Sequence, residues 1–213
     1  MSSAIQPAEL AQELAKGLQS LDCKLADDIQ VRLIQYLVLL DKWNKTYNLT
    51  AVRDIQQMVS HHLLDSLSVN TYLQGVRVLD VGTGAGLPGI PLALANPDKE
   101  FVLLDSAMKR TRFVTQAVGE LRLKNVQVQQ TRIEDYVPDG LFDTIISRAF
   151  TAMDDFVLAT EHLCQPAGQL LAMKGRFPTQ EINSLPDQWQ AKSELLEVPN
   201  VNADRHIVIL TRK

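Results

Sequence analysis

The residues with the clearest chemical meaning lie in the stretch VLDVGTGAGLPG, where four glycines follow a short apolar run. Two registers of this stretch suit a nucleotide. The spacing Gly84-x-Gly86-x-x-Gly89 is typical of a loop that binds a dinucleotide pyrophosphate. Asp80 followed by Gly82 and Gly84 is typical of a nucleoside site that has a carboxylate ahead of its glycines. Because glycine lets a ligand approach the backbone closely, both registers predict an adenosine ligand at this turn.

Polar side chains that follow other apolar runs help to choose between the registers. Asp105 ends EFVLLD, and its carboxylate can accept hydrogen bonds from both ribose hydroxyls of an adenosine, which suits either register. Glu134 comes just after the next run, where it can meet an adenine edge, and Arg148 follows FDTIIS at the same rim. The carboxylate of Asp80 suits an ammonium or sulfonium charge better than a pyrophosphate. The sequence therefore favours S-adenosylmethionine as the cofactor.

These residues are positioned by a chain that changes character at about residue 75. Before that point, apolar residues recur at helical spacing. After it, short apolar runs alternate with segments of helical length, which indicates a parallel sheet with crossover helices. We therefore predict an α/β protein with two parts, an N-terminal helical extension over 1–74 and a Rossmann-like domain over 75–213.

The predicted elements follow from the same patterns. The last two runs have no helix between them, so we expect a hairpin there. Helices are predicted over 8–20, 26–47, 54–72, 88–96, 108–122 and 152–164, and strands over 76–81, 100–105, 126–129, 142–147, 168–173, 193–198 and 206–211.

Composition narrows the class of protein. The chain has 213 residues, of which 46% are hydrophobic and 22% charged, and these values argue against a disordered or membrane protein. The two cysteines, Cys23 and Cys164, are too few and too far apart for a disulfide framework or a zinc cluster. MSSAIQPAELAQEL lacks the cationic and apolar parts of a signal peptide. We expect a cytoplasmic monomer without a bound metal.

Charge is unevenly distributed. The formal net charge of -4 does not favour nucleic acid as a partner. Between Ala107 and Arg132, however, six basic residues stand against Glu120 alone, which indicates either a local phosphate-binding patch or a solvated helix face. The basic residues that we expect to approach nucleic-acid phosphates are Lys109, Arg110, Arg132, Lys174 and Arg205.

Several of these stretches together resemble one known family. DVGTGAGLPGIPLA, LLDSAMKRTRF and ISRAF, with KWNKTYNLTAVRD and HHLLDS upstream, are similar to the ribosomal small-subunit methyltransferase G family, also called glucose-inhibited division protein B. The similarity extends from about Leu33 to Arg212. It implies the seven-stranded, mostly parallel sheet of class I S-adenosylmethionine-dependent methyltransferases. It also implies methylation at N7 of a guanine in 16S rRNA of the small ribosomal subunit, at position 527 in the usual numbering.

The resemblance adds to the candidate site. By motif it implies cofactor contacts at Gly82, Leu87, Ile133, Glu134 and Arg148. Together with the residues argued from strand ends, the predicted cofactor-binding set is Asp80, Gly82, Thr83, Gly84, Leu87, Asp105, Ile133, Glu134 and Arg148.

The absence of an obvious catalytic residue agrees with this target. Guanine N7 already carries an in-plane lone pair, so it needs neither a covalent adduct nor a base. Cys164 falls on a predicted helix away from the strand ends, where packing is the simpler role. We therefore predict no certain catalytic residue, with Arg148 positioning substrate and cofactor.

Other interpretations remain open at this point. The same fold could serve a methyltransferase of small molecules or proteins, and a nicotinamide-dependent oxidoreductase is a more distant alternative. His61, His62 and Asp65 lie within one helical turn and could imitate a metal site, although hydrogen bonding at the junction of helices and sheet is the simpler role. Trp43 continues an apolar stripe and is expected to pack in the core.

Overall fold

One sheet of seven strands, counted over the described part of the chain, is the frame of the molecule. The computed structural model describes residues 7–148, 150, 152–177, 181 and 184–213. The residues MSSAIQ at the start of the sequence and Ala149 of ISRAF, both quoted above, lie outside the described residues. The strands are β1 (Arg77–Val81), β2 (Glu100–Asp105), β3 (Val126–Gln130), β4 (Phe142–Ser147), β5 (Cys164–Lys174), β6 (Trp189–Leu195) and β7 (His206–Arg212).

The strand order is β3-β2-β1-β4-β5-β7-β6. The pairs formed among β1 to β5 are parallel, whereas β7 runs antiparallel to both β5 and β6. Leu79, Ile145 and Leu170 on the central strands are fully buried because helices cover both faces of the sheet. The predicted parallel sheet with a final hairpin is confirmed.

β5 begins earlier than predicted. Its first residue is Cys164, which we expected on a helix, rather than residue 168. Cys164 pairs with Phe142 of β4, and the register then shifts before Thr144. A long-range pairing, which no local pattern reveals, therefore decides where this strand begins.

β6 also differs from the prediction, which placed a strand over 193–198. The strand predicted from SELLEV is only partly present, because the ladder with β7 begins where Trp189 pairs with Arg212 and ends at Leu195. Trp189 is buried against the sheet, and this burial favours the earlier register.

The helices lie close to their predicted positions. No helix in the described ranges is both long enough and apolar enough to cross a membrane. The α-helices are α1 (Pro7–Ser20), α2 (Asp27–Tyr47), α3 (Ile55–Met58), α4 (Asp65–Leu67), α5 (Gly89–Ala95), α6 (Met108–Glu120) and α7 (Met153–Thr160).

The helix predicted over 54–72 is not one regular helix. Asp54 caps its start, since its Oδ1 accepts a hydrogen bond of 3.0 Å from the amide of Gln56. α3 then passes into a π-helical turn, Val59–Leu64, before α4 resumes the normal winding, and a 3₁₀ turn follows at Asn70–Tyr72. The wider π turn changes which side chains face the sheet, so a constant helical period does not describe this segment.

Each face of the sheet has its own hydrophobic cluster. On one face Leu37 and Leu63 of the helical extension share a cluster with Val78 and Ile146 of the sheet. On the other face Phe156 of α7 packs among buried strand residues. Side chains from both predicted parts of the chain thus share one core, while the boundary at residues 74 and 75 stays a prediction.

Gly89 allows α5 to begin directly against the sheet. A Cβ built at this position would overlap Leu103 of β2 and lie 2.7 Å from Oδ2 of Asp80. Gly119, in α6, has nothing within 4 Å of the same hypothetical atom. The first glycine is therefore required by packing, and the second is not.

We expect Gly89→Ala to lower the free energy of unfolding by about 1–3 kcal/mol, because an extra methyl group in a packed contact strains its neighbours. Gly119→Ala is the matched control, and it should raise the same quantity by roughly 0.5–1 kcal/mol, since alanine favours a helix. Urea unfolding of both variants checks this. Equal effects of the two substitutions would contradict the packing role of Gly89.

Candidate functional site

The candidate site lies where β1 and β4 are neighbours and the chain leaves them in opposite directions across the sheet. Ligands of open α/β sheets bind in the crevice at such a switch point, beyond the carboxyl ends of the strands. The glycine loop, Glu134 and Arg148 follow β1, β3 and β4 respectively, and Asp105 is the last residue of β2. The structure therefore brings these sequence-predicted residues together at the carboxyl ends of the parallel strands.

The glycine loop is attached to the neighbouring strand. The amides of Gly82 and Thr83 donate to the carbonyl oxygen of Leu104 at 2.9 and 3.0 Å. Gly84 has a φ of +60°, and a Cβ placed on it would meet nothing nearer than the carbonyl oxygen of Gly82 at 3.9 Å. The outer side of the loop is therefore open backbone that a ligand can approach.

Asp80 supports the loop from beneath. It is fully buried, and its Oδ2 accepts hydrogen bonds from Oγ1 of Thr83 at 2.6 Å and from the amide of Gly89 at 2.9 Å. Its Oδ1 has no hydrogen-bond partner among the described residues. Burial raises the pKa of this carboxyl to about 6, while the hydrogen bond from Thr83 acts in the opposite direction. The geometry assigns Asp80 to holding the loop, and a direct contact with a cofactor stays a prediction.

Asp105 supports the loop from the adjacent strand. Its Oδ2 accepts from the amide of Gly84 at 2.9 Å and lies 3.3 Å from Nη1 of Arg110, and its Oδ1 accepts from the amide of Ala107 at 2.9 Å. The carboxylate is almost completely buried. Two carboxylate oxygens have about four acceptor positions, so capacity remains for the hydroxyl of a ligand.

A cavity of about 350 Å³ opens beside Asp105, at the carboxyl ends of β1, β2 and β3. Its size is in the range of small-ligand pockets. Phe150 and Thr131 line it but were missed by sequence reasoning, although both follow strand ends, which was the available signal. The lining includes Val81, Gly82, Leu104, Asp105, Ser106, Arg110, Thr131, Arg132, Ile133, Glu134 and Phe150.

Thr83 and Leu87, two further residues of the predicted set, are buried. Thr83 is engaged by Asp80, and Leu87 belongs to the hydrophobic cluster shared with the helical extension. Their side chains hold the loop against the core. Contact between either residue and a cofactor stays a prediction.

Arg148 and Arg205 converge on one carboxylate. Nη1 of Arg148 lies 3.2 Å from Oδ2 of Asp65, and Nε of Arg205 lies 2.9 Å from Oδ1 of the same residue. Asp65 itself is buried. Arg148 therefore reaches from the end of β4 towards the helical extension.

The other predicted phosphate-binding residues differ in their surroundings. Lys109 and Arg132 are exposed. Nζ of Lys174 lies 2.7 Å from Oε2 of Glu181 and 3.1 Å from the carbonyl oxygen of Phe150. With Arg110 and Arg205 also paired to carboxylates, three of the five predicted residues have protein partners, and their contacts with phosphate stay predictions.

The histidines and the aspartate of HHLLDS are engaged separately. Nε2 of His62 lies 2.9 Å from Oγ1 of Thr50, and burial lowers the pKa of His62 to about 4. Nδ1 of His61 lies 3.1 Å from the carbonyl oxygen of Gln57, while Asp65 binds the two arginines. Within the residues that the structure describes, no group of three or more His, Cys, Asp or Glu side chains is arranged to hold a metal ion.

The side chains of Trp43 and Cys164 pack against other residues of the protein. Trp43 is half-buried, and its ring centroid lies 5.6 Å from that of Phe113. Cys164 begins β5, so it lies at the amino ends of the parallel strands, whereas the cavity lies at their carboxyl ends. Burial raises the pKa of Cys164 to about 11. A thiol so placed is not a nucleophile for this site.

Comparisons with known proteins agree with the geometry. Residues 29–208 match the GidB family model, described as rRNA small subunit methyltransferase G. The chain is 56% identical over 199 residues to ribosomal RNA small subunit methyltransferase G from Nitrosococcus oceani, covering 92% of each. It is 48% identical over 201 residues to the protein of the same name from Marinomonas sp. strain MWYL1, covering 94% of this chain and 97% of that protein.

A solved structure gives independent information on the fold. The O-methyltransferase TomG from Streptomyces achromogenes, in complex with S-adenosylmethionine, matches with a TM-score of 0.61 over 99% of this chain and 100% of that chain. The identity is 14%, so this likeness concerns the fold alone. It confirms the predicted methyltransferase-like α/β architecture.

The burial of Asp80 predicts a pH-dependent stability. Its pKa in the folded protein is about 6, above the ordinary 3.8, so the folded state binds the proton more tightly than the unfolded state does. Its contribution to stability is full below pH 4 and is lost as the pH rises through 6. The free energy of unfolding of the wild type, relative to Asp80→Asn, should therefore fall by about 2 kcal/mol between pH 4 and pH 7.

Urea unfolding of both proteins at four pH values in this range checks the expectation. Groups that titrate identically in the two proteins cancel in the difference. A difference that stays constant across the range would show that Asp80 is ionised throughout.

Proposed function

The chain belongs to the rRNA small subunit methyltransferase G family, and we propose that this S-adenosylmethionine-dependent methyltransferase modifies N7 of a guanine in 16S rRNA. The observation that carries the proposal is the family match over residues 29–208, joined to a strand-end cavity beside a glycine loop and a fixed carboxylate. The nicotinamide-dependent alternative loses its support, because the family to which the chain belongs is a methyltransferase family.

The residues around the cavity fit the cofactor. Asp105 has acceptor capacity left and lines the cavity, which suits the hydroxyls of a ribose. Ile133 and Glu134, after β3, are positioned to meet an adenine, and the open backbone at Gly84 suits the amino-acid part. The Oδ1 of Asp80, which has no hydrogen-bond partner among the described residues, is a further acceptor next to the loop. When bound, S-adenosylmethionine supplies a methyl group on a positively charged sulfur.

The site has the properties that transfer to guanine N7 requires. Because N7 has an available lone pair, the protein has to align the two reactants rather than remove a proton, and alignment alone is an effective form of catalysis. Cys164 is distant from the cavity and its pKa is raised to about 11, which agrees with a reaction that has no covalent adduct. We assign the alignment of cofactor and base to Arg148, which follows β4.

The exposed basic residues support an RNA substrate. Arg132 lines the cavity, and Lys109 precedes Arg110, which also lines it. The exposed basic residues include Lys109, Arg112, Arg122, Lys124 and Arg132. Contacts of such residues with phosphate orient an RNA without reading its sequence. We propose that this surface binds the rRNA backbone, and that the protein works in the cytoplasm, where ribosomal subunits are assembled.

Mass spectrometry of 16S rRNA tests the target. RNA from cells without the gene should lack one 7-methylguanosine that is present in the wild type, and the gene supplied on a plasmid should restore it. A plasmid carrying Arg148→Ala should not. If the deletion strain retained every 7-methylguanosine, the N7 assignment would be wrong, and the membership of the family would still hold.

Two substitutions separate cofactor binding from RNA binding. Asp105→Ala should weaken the binding of S-adenosylhomocysteine, measured by calorimetry, at least tenfold, because it removes the acceptor beside the cavity and one support of the glycine loop. Lys109→Ala should leave that affinity within twofold of the wild type and raise the KM for rRNA, since its side chain is exposed. Equal losses of cofactor affinity would mean that the basic surface is misassigned.

A further inference from the structure

Asp65 occupies an unusual position for a buried carboxylate. It belongs to the helical extension, yet its two oxygens contact arginines that follow β4 and precede β7, 83 and 140 residues away in sequence. The side chain of Asp65 is only 3% exposed, whereas those of Arg148 and Arg205 are 32% and 24% exposed. One carboxylate thus joins three separate segments at the rim of the sheet.

The backbone that carries Asp65 is itself specialised. The π-helical turn Val59–Leu64 ends immediately before Asp65, and turns of this kind are frequent at functional sites. The amide of Asp65 donates to the carbonyl oxygens of His62 and Ser60, and its own carbonyl accepts from Oγ of Ser68 at 2.7 Å. The main chain around the carboxylate is therefore held firmly.

Arg148 links this carboxylate to the glycine loop. Burial raises the pKa of Asp80 and lowers that of His62, and the positive charge of Arg148 acts to lower both, because the guanidinium lies within electrostatic reach of the two groups. It acts in the same direction on Tyr36, whose hydroxyl donates to the carbonyl oxygen of Ala85 in the loop at 2.6 Å. Asp65 thus anchors a guanidinium that lies within electrostatic reach of residues that support the loop.

Geometry makes the anchor significant for a transfer reaction. A guanidinium is planar and offers five N–H donors in fixed directions, so holding one nitrogen orients the remaining donors. Arg205, held through its Nε by the other oxygen of Asp65, restricts the rotation of that carboxylate. Exact orientation is what a reaction without proton transfer demands.

We propose that Asp65 is a positioning residue for methyl transfer, acting through Arg148, with Arg205 fixing the carboxylate in place. This inference rests on the proposed function, in which Arg148 aligns cofactor and base. Asp65 itself touches neither reactant. It converts a mobile side chain at the end of β4 into an oriented one.

A double-mutant cycle tests the proposal. The variants are Asp65→Asn, Arg148→Ala and the two combined, with Asp41→Asn as a matched control. Asp41 is also on the helical extension, but it is half-buried and pairs at 2.7 Å with an exposed lysine, Lys45. The measurements are the single-turnover rate of rRNA methylation with saturating S-adenosylmethionine and rRNA, the affinity for S-adenosylhomocysteine, the KM for rRNA and the thermal unfolding midpoint.

Asp65→Asn should lower the single-turnover rate at least tenfold and leave the KM for rRNA within twofold of the wild type, in protein that is folded at the assay temperature. In the Arg148→Ala background, Asp65→Asn should change the single-turnover rate and the affinity for S-adenosylhomocysteine by less than twofold. The reason is that the guanidinium through which Asp65 acts is absent there. Asp41→Asn should change neither. A purely structural role would lower the unfolding midpoint but would produce equal losses in both backgrounds.

Removing one partner of a buried ion pair leaves an uncompensated charge and can prevent folding. If Asp65→Asn does not fold, Asp65→Asn with Arg205→Gln replaces that ion pair by two amides and takes its place in the cycle. A folded variant with an unchanged rate, or equal losses with and without Arg148, would overturn the inference while wild-type methylation remained intact. Wild-type protein that neither bound S-adenosylhomocysteine nor methylated rRNA would overturn the proposed function, and the inference with it.

Discussion

The glycine loop after β1 has almost no side chains of its own to maintain its shape, and two buried carboxylates maintain it from opposite sides. Asp80 accepts from the side chain of Thr83 and from the amide of Gly89, which joins the strand to the start of α5. Asp105 accepts from the amide of Gly84 on the neighbouring strand. Because both carboxylates lie near the carboxyl ends of parallel strands, the conformation of the loop depends on the register of β1 against β2, and the cavity depends on the loop.

The helical extension belongs to the site as well as to the core. Tyr36 of α2 is fully buried and donates to the carbonyl oxygen of Ala85, so the loop is also held from the helical side. Asp65 receives Arg148 from the end of β4 and Arg205 from the approach to β7. These contacts give the first third of the chain a direct effect on the loop and the rim, beyond covering one face of the sheet.

Charge at the rim is divided between internal pairing and exposure. Arg110, Arg148, Lys174 and Arg205 each lie against a carboxylate. Lys109 is instead exposed among the other basic residues of α6 and the turn after it. An acidic protein can in this way present a local basic surface. Carboxylates neutralise some cations within the rim, whereas other cations stay exposed at the surface.

The sequence by itself determined the order of helices and strands, the glycine loop and the carboxylate of Asp105 at a strand end, because each depends on local periodicity or on a motif a few residues long. The tertiary structure alone decided that Cys164 begins a strand, that β6 starts at Trp189, and that Phe150 lines the cavity. It also decided that Arg148 and Arg205 meet at Asp65. Strand registers and ion pairs between segments 83 and 140 residues apart arise from how the sheet and helices pack, and no spacing within a single stretch records them.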